Sequence, residues 1–131
     1  MPVAERITPS HFAEPAGPWS PGVRVSAGAT LYVAGCIALD ERGQIVGKGD
    51  VRAQTHQVMR NFQAVVEAAG MTMADVVKIT NYLVDVSNYP AIAEVRAQYL
   101  TEPYPASTMV QVSRLLYPEL LVEIESIAVA S

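Results

Sequence analysis

Residues 105–130 read PASTMVQVSRLLYPELLVEIESIAVA, and this stretch predicts two strands joined by a turn at Tyr117-Pro118-Glu119. Successive side chains on a strand point to opposite faces, which sets Leu121, Glu123, Glu125, Ile127 and Val129 on one side and Val122, Ile124, Ser126 and Ala128 on the other. Two acids in a mostly apolar row must reach water, find a partner or sit in a cleft, because burying a lone ionised carboxylate is too costly. Either this strand is wet, or Glu123 belongs to a site.

Working outward, Val23 to Ala38 predicts a strand, a turn at Ala27-Gly28 and a second strand with both faces apolar; after a turn at Asp40–Gly43, Gln44–Val46 returns as a short strand. Upstream, Pro2, Pro9, Pro15, Pro18 and Pro21 keep residues 1–21 extended or turn-like. Asp50 is a helix N-cap, and Val51, Thr55, Val58, Phe62, Val65, Val66 and Ala69 follow at helical steps until Gly70. Thr72 and Asp75 suit a short capped turn. Val77, Ile79, Asn81 and Leu83 then alternate against Val76, Lys78, Thr80, Tyr82 and Val84 as a strand. Ser87 or Asn88 opens a second helix with Pro90 in its first turn and Ile92, Val95, Tyr99 and Leu100 as its stripe, ended by Pro103 and Pro105.

The order βββαβαββ makes an α+β layer with two helices packed on one face of a sheet. The other face is then bare, and strands apolar on both sides predict its burial by further copies of the chain, a homo-oligomer.

The 131 residues fit a single domain spanning 1–131. A net charge of -4 and a pI near 5.0 offer phosphate no general attraction, so no nucleic acid partner is expected. No basic-flanked apolar run opens the chain and no apolar stretch reaches membrane-spanning length, which leaves no membrane partner and a cytoplasmic location as the expectation. One cysteine with two distant histidines, His11 and His56, gives no metal-ligand spacing, so neither metal nor cofactor is expected; both histidines read as solvated.

Taken together, Gly17-Pro-Trp-Ser20, Leu31-Tyr-Val-Ala-Gly-Cys-Ile37, Gln54 through Gly70, Asp75-Val-Val-Lys78, Tyr104 through Val112 and Val122 through Ala128 closely resemble the RidA family, also called YjgF/YER057c/UK114, along nearly the whole chain. The resemblance implies a chorismate-mutase-like fold and a homotrimer that takes a small-molecule ligand in clefts between subunits. It also implies hydrolysis of reactive enamines and imines, such as 2-aminoacrylate, to a carbonyl compound and ammonia.

In that family an arginine on the strand after the second helix grips the substrate carboxylate, a task that suits the planar fork of a guanidinium. Ser107 stands at that position. Trp19 stands where tyrosine is frequent, Ala34 where serine or threonine is, Cys36 where glutamine is, Ala93 where asparagine is, and Met109 where cysteine is. Glu123 matches the glutamate that positions or activates the hydrolytic water, with Glu125 beside it raising the proton affinity of whichever acid is more buried. By this resemblance Glu123 is the catalytic residue, and Trp19, Gly35, Cys36, Ser107, Thr108 and Met109 line the substrate cleft. The expectation is a deaminase-like hydrolase of altered specificity; the alternative is a non-catalytic metabolite-binding or chaperone-like trimer. Arg24, Arg114 or a residue of a neighbouring subunit are candidates to replace the missing clamp.

Overall fold

The acidic strand occupies the middle of the fold in the computed structural model, which describes residues 4–11, 13, 17–26 and 28–130. The strands are β1 (Ala4–Ile7), β2 (Gly22–Val25), β3 (Ala29–Cys36), β4 (Val76–Leu83), β5 (Ala106–Gln111) and β6 (Val122–Ala130), with helices α1 (Val51–Ala68) and α2 (Tyr89–Ala97). A four-stranded sheet has the order β3-β6-β4-β5, and β1 and β2 form a separate antiparallel pair. Antiparallel pairing joins β6 to β3 and to β4, whereas β4 and β5 run parallel. Both helices pack on one face, as expected of an α+β layer.

The order of elements agrees with the sequence reading, but three strand assignments differ. Segments 105–111 and 122–130 are not a hairpin: β4 lies between them. A helical crossover returns β5 parallel beside β4, which leaves β6 the slot between β3 and β4; the turn before β6 is real, with Leu120 N–H donating to Tyr117 O at 3.1 Å. Gln44–Val46 makes only an isolated bridge, Leu39 to Ile45. The third early strand is instead Ala4–Ile7, paired with β2 inside the proline-rich segment. Ala27 of the expected turn, like Pro2 and Pro15, lies outside the described residues.

Helix α1 starts as its cap dictates, Asp50 Oδ1 accepting from Ala53 N–H at 3.1 Å, and stops before Gly70, whose φ of +76° favours glycine. Its buried face is Gln54, Thr55, Val58, Met59, Phe62 and Val66; Val65, expected in the stripe, is exposed. These side chains meet Val33, Ile79, Leu83, Ile92, Val122, Ile124 and Ala128 in one core. His56 is not solvated as expected: its Nδ1 lies 2.8 Å from the Tyr99 hydroxyl, tying α1 to the residues after α2.

The opposite face of the sheet carries no helix and is more polar than expected. Register places Tyr32, Ile127, Lys78, Thr80, Glu125, Tyr82, Glu123, Thr108 and Val110 there, and Tyr32 is 76% exposed.

Gln54 fixes the approach to β6. Its amide donates to Gly47 O at 3.2 Å and Glu119 O at 2.8 Å, and its carbonyl accepts from Leu121 N–H at 2.8 Å. Replacing it by leucine leaves a partly buried N–H and two carbonyls without that partner, a loss of about 1–3 kcal/mol for each group left uncompensated. Gln54→Leu is therefore expected to lower the urea midpoint at fixed protein concentration by at least the equivalent of about 2 kcal/mol; an unchanged midpoint would show that the 119–121 segment is held by other means.

Candidate active site

Glu123 is directed by the alternation of β6. Val122, Ile124, Ser126 and Ala128 are buried and Glu123, Glu125 and Ile127 half-buried on the other face, as the sequence predicts. Across from it, β3 has a register irregularity between Val33 and Cys36, and the slack brings Gly35 against the Glu123 carboxylate. A Cβ on Gly35 would lie 1.9 Å from Glu123 Oε2, so glycine is what leaves room for the acid.

The two acids have different surroundings. Glu125 Oε1 accepts a hydrogen bond from the Tyr82 hydroxyl, and that bond raises the tyrosine pKa. Glu123 has no hydrogen-bond partner among the described residues. Burial first, and the Glu125 charge second, push its carboxyl above the ordinary range. Cys36 is pushed up to about 11, by burial and then by Glu123, which leaves a thiol rather than a thiolate near neutrality. It packs against the core with its Sγ 3.5 Å from Ala34 O.

The other expected site residues gather on β5, an edge strand. Ser20 bridges Ala106, with Ser20 N–H donating to Pro105 O at 2.9 Å, and this places Trp19 beside the start of β5. Ser107 pairs with Ile79 and shares its face, towards the helices. Thr108 faces the other way, where its hydroxyl accepts from Lys78 Nζ at 2.7 Å. Met109 packs against the core. Of the candidate replacement cations, Arg24 pairs with Glu5 and Arg114 donates to Leu115 O and Leu116 O in its own loop at 3.2 and 3.3 Å.

Two residues that the sequence reading did not assign to the site lie behind Ser107. Asn81 donates to Ser107 Oγ at 3.0 Å, and Arg96 Nη1 donates to Asn81 Oδ1 at 2.8 Å. Arg96 follows Ile92 by one helical turn and Val95 by one residue, which sets it beside the stripe already recognised, and it is buried with them.

Within one chain these residues fall into two separate halves. Gly35, Cys36 and Glu123 lie on β3 and β6; Trp19, Ser107 and Met109 lie at β5, two strand positions from β6, or about 9–10 Å at ordinary strand spacing, with Glu123 and Ser107 on opposite faces. Neither half is enclosed. An open hollow of about 790 Å³ is lined by Ile37, Leu39, Asp40, Glu41, Arg42, Gln57 and Asn61, and one of about 210 Å³ by Tyr32, Val33, Lys78, Thr80, Glu125, Ser126 and Ile127; neither includes Glu123 or Ser107. Among the described residues no group of three potential ligands gathers as a metal site, and no helix is long and apolar enough to cross a membrane.

The family model described as endoribonuclease L-PSP matches residues 10–130. A RutC family protein of Pyrococcus horikoshii is 41% identical over 124 residues, 95% of this chain and 96% of the relative. A 2-iminobutanoate/2-iminopropanoate deaminase of Dermatophagoides farinae is 38% identical over 126 residues, 95% of this chain and 96% of that protein. Among solved structures, a Rid family protein of unknown function from Yersinia pestis superposes with a TM-score of 0.89 at 36% identity, covering 98% of this chain and 99% of the other.

The raised Glu123 pKa has a thermodynamic consequence. The folded chain holds this proton at pH values where the unfolded chain has released it, so stability falls as pH rises from the unfolded carboxylate value through the folded one. Glu123→Gln removes that loss. Its thermal midpoint is expected to exceed that of the parent chain at neutral pH, with the difference shrinking as pH falls through the folded carboxyl's raised value and gone below about 4.5; a difference independent of pH would contradict the assigned environment.

Proposed function

The chain belongs to the RidA (YjgF/YER057c/UK114) family, and from that premise we propose that it is an enamine/imine deaminase-like hydrolase in which Glu123 handles the water. The observation that carries this reading is the division between the acids: Glu125 is held by Tyr82, whereas Glu123 is half-buried, unpartnered, pressed against Gly35 and raised in pKa. A carboxylate displaced towards working pH is a better general base than a fully solvated one.

The reaction needs little more. Water held by Glu123 adds to the imine carbon: its oxygen forms the new C–O bond, the C=N π pair moves to nitrogen, and Glu123 takes one water proton and passes it to that nitrogen; in the next step the carbinolamine hydroxyl proton follows the same route to the nitrogen as the C–N bond breaks. Collapse of the carbinolamine forms the carbonyl, releases the nitrogen as ammonia and returns the acid to its starting state. The substrate is already reactive, so orientation and one proton acceptor supply most of what is required.

The cleft is proposed to form between subunits of a homotrimer, the Glu123 half of one copy facing the Ser107 edge of the next. Three features support this: the half-sites lie on opposite faces, neither is enclosed, and Tyr32 stands exposed on the helix-free face. The family model's description names an endoribonuclease, but a chain of net charge -4 offers RNA no general attraction. Serine in place of the clamp arginine favours a second reading, a metabolite-binding trimer without turnover.

Ammonia release from 2-aminoacrylate and 2-iminobutanoate, generated in place by a pyridoxal-phosphate-dependent dehydratase, separates the readings. Release is expected to run faster with the protein than without. Glu123→Ala should lose about 100-fold or more, the usual reach of general-base assistance, and Gly35→Ala should lose most of the rate with its fold retained, because the added methyl meets only the movable end of Glu123. Equal rates with and without protein across both imines would leave the binding trimer. Light scattering is expected to give three times the 14.1 kDa chain mass; a monomer at micromolar concentration would remove the shared cleft.

A further inference from the structure

Arg96 presents an electrostatic problem that the fold does not solve with a counter-charge. It is 0% exposed. Its guanidinium donates to Asn81 Oδ1 at 2.8 Å and to the Tyr89 hydroxyl at 3.2 Å, and its Cζ lies 5.5 Å from the centre of the Tyr89 ring. Its Nε has no partner among the described residues, and no described carboxylate pairs with it. A buried cation held by neutral groups alone is costly, and its place in the last turn of α2 offsets only part of that. An apolar residue would serve the packing at lower cost.

The partners show where the charge is felt. Arginine only donates, so the Asn81 atom facing it must be oxygen; Asn81 also donates to Thr108 O at 2.8 Å, which requires nitrogen on the other side. That orientation makes the amide donate to Ser107 Oγ at 3.0 Å. The serine oxygen thus accepts from an amide polarised by a full positive charge, and its own proton remains to donate outward from a half-exposed edge strand. Hydrogen bonds in such a chain strengthen one another in a poorly solvated setting.

We propose that Arg96 is a positioning residue that, through Asn81, orients and polarises the Ser107 hydroxyl as a single-point donor to a ligand oxygen. The inference rests on the deaminase reading for the class of ligand. A hydroxyl offers one directional bond where a guanidinium fork offers two, so the site takes small 2-imino or 2-oxo compounds through one oxygen, with weaker dependence on a full carboxylate than a bidentate clamp has.

The test measures binding of 2-oxobutanoate, a stable keto acid, by NMR titration of the assembled protein. Arg96→Met and Ser107→Ala are each expected to weaken it about tenfold. Arg96→Met is expected to add nothing once Ser107→Ala is present, a coupling that a packing role would not produce. Arg96→Lys, which keeps the charge, should recover part of the loss. Asn81→Asp is isosteric, gains a pairing with the guanidinium in exchange for the bond to Thr108 O, and turns the donor facing Ser107 into an acceptor; it provides a second variant if Arg96→Met does not fold, and is expected to match Ser107→Ala. Unchanged affinity in Arg96→Met or Asn81→Asp, additive losses in the double variant, or no binding by the parent protein at tens of millimolar would each overturn the proposal. Binding with the expected coupling but no ammonia release from any imine would uphold it and refute the deaminase reading instead.

Discussion

Pairing of β6 on both its edges is the constraint from which the rest follows. A strand bonded to β3 on one side and β4 on the other has no freedom to shift, because a slip of one residue would carry Val122, Ile124 and Ala128 out of the core and drive Glu123 and Glu125 into it. The acids are held on the helix-free face by the apolar residues between them. Gln54 fixes the entry of the strand, and the irregularity in β3 supplies a glycine where the first acid needs space.

In the proposed function that geometry would separate water handling from ligand gripping. Glu123 lies on one face of the sheet, with its proton affinity set by burial and by a neighbour occupied with Tyr82. Ser107 lies on the edge strand and the other face, backed by Asn81 and a cation sealed beneath α2. The two can meet across an interface between copies, which gives the helix-free face a role in the proposed function as well as in assembly. On the proposed reading, Ser107 in place of an arginine changes how positive charge would reach the ligand, from direct contact to a relay through a neutral amide.

Much of this was legible in the sequence, for identifiable reasons. Period-two and period-3.6 patterns placed α1, β4 and the two faces of β6, and the pair of acids in an apolar row singled out Glu123. Periodicity says which face a residue takes but not which strand lies alongside, so the two strands and the turn expected over 105–130 are present while β4, between them, was not foreseen. Prolines hid β1, since a short edge strand tolerates the flanking turns that they make. Asn81 was visible as the polar member of a buried row. Arg96 escaped because only apolar residues were counted in the stripe of α2, and no pattern in a sequence tells a buried cation from a solvated one at the same helical position.

The most direct test of the central claim, a site completed by two copies around Glu123 and Ser107, is a crystal structure of the assembled protein soaked with 2-oxobutanoate. The account predicts the keto acid between neighbouring chains, one oxygen within hydrogen-bond distance of Ser107 Oγ and Glu123 of the adjoining copy facing its carbonyl carbon across a water molecule. Glu123 open to bulk solvent and remote from every neighbouring chain, or the acid bound at Arg114 or Lys78 instead, would contradict it.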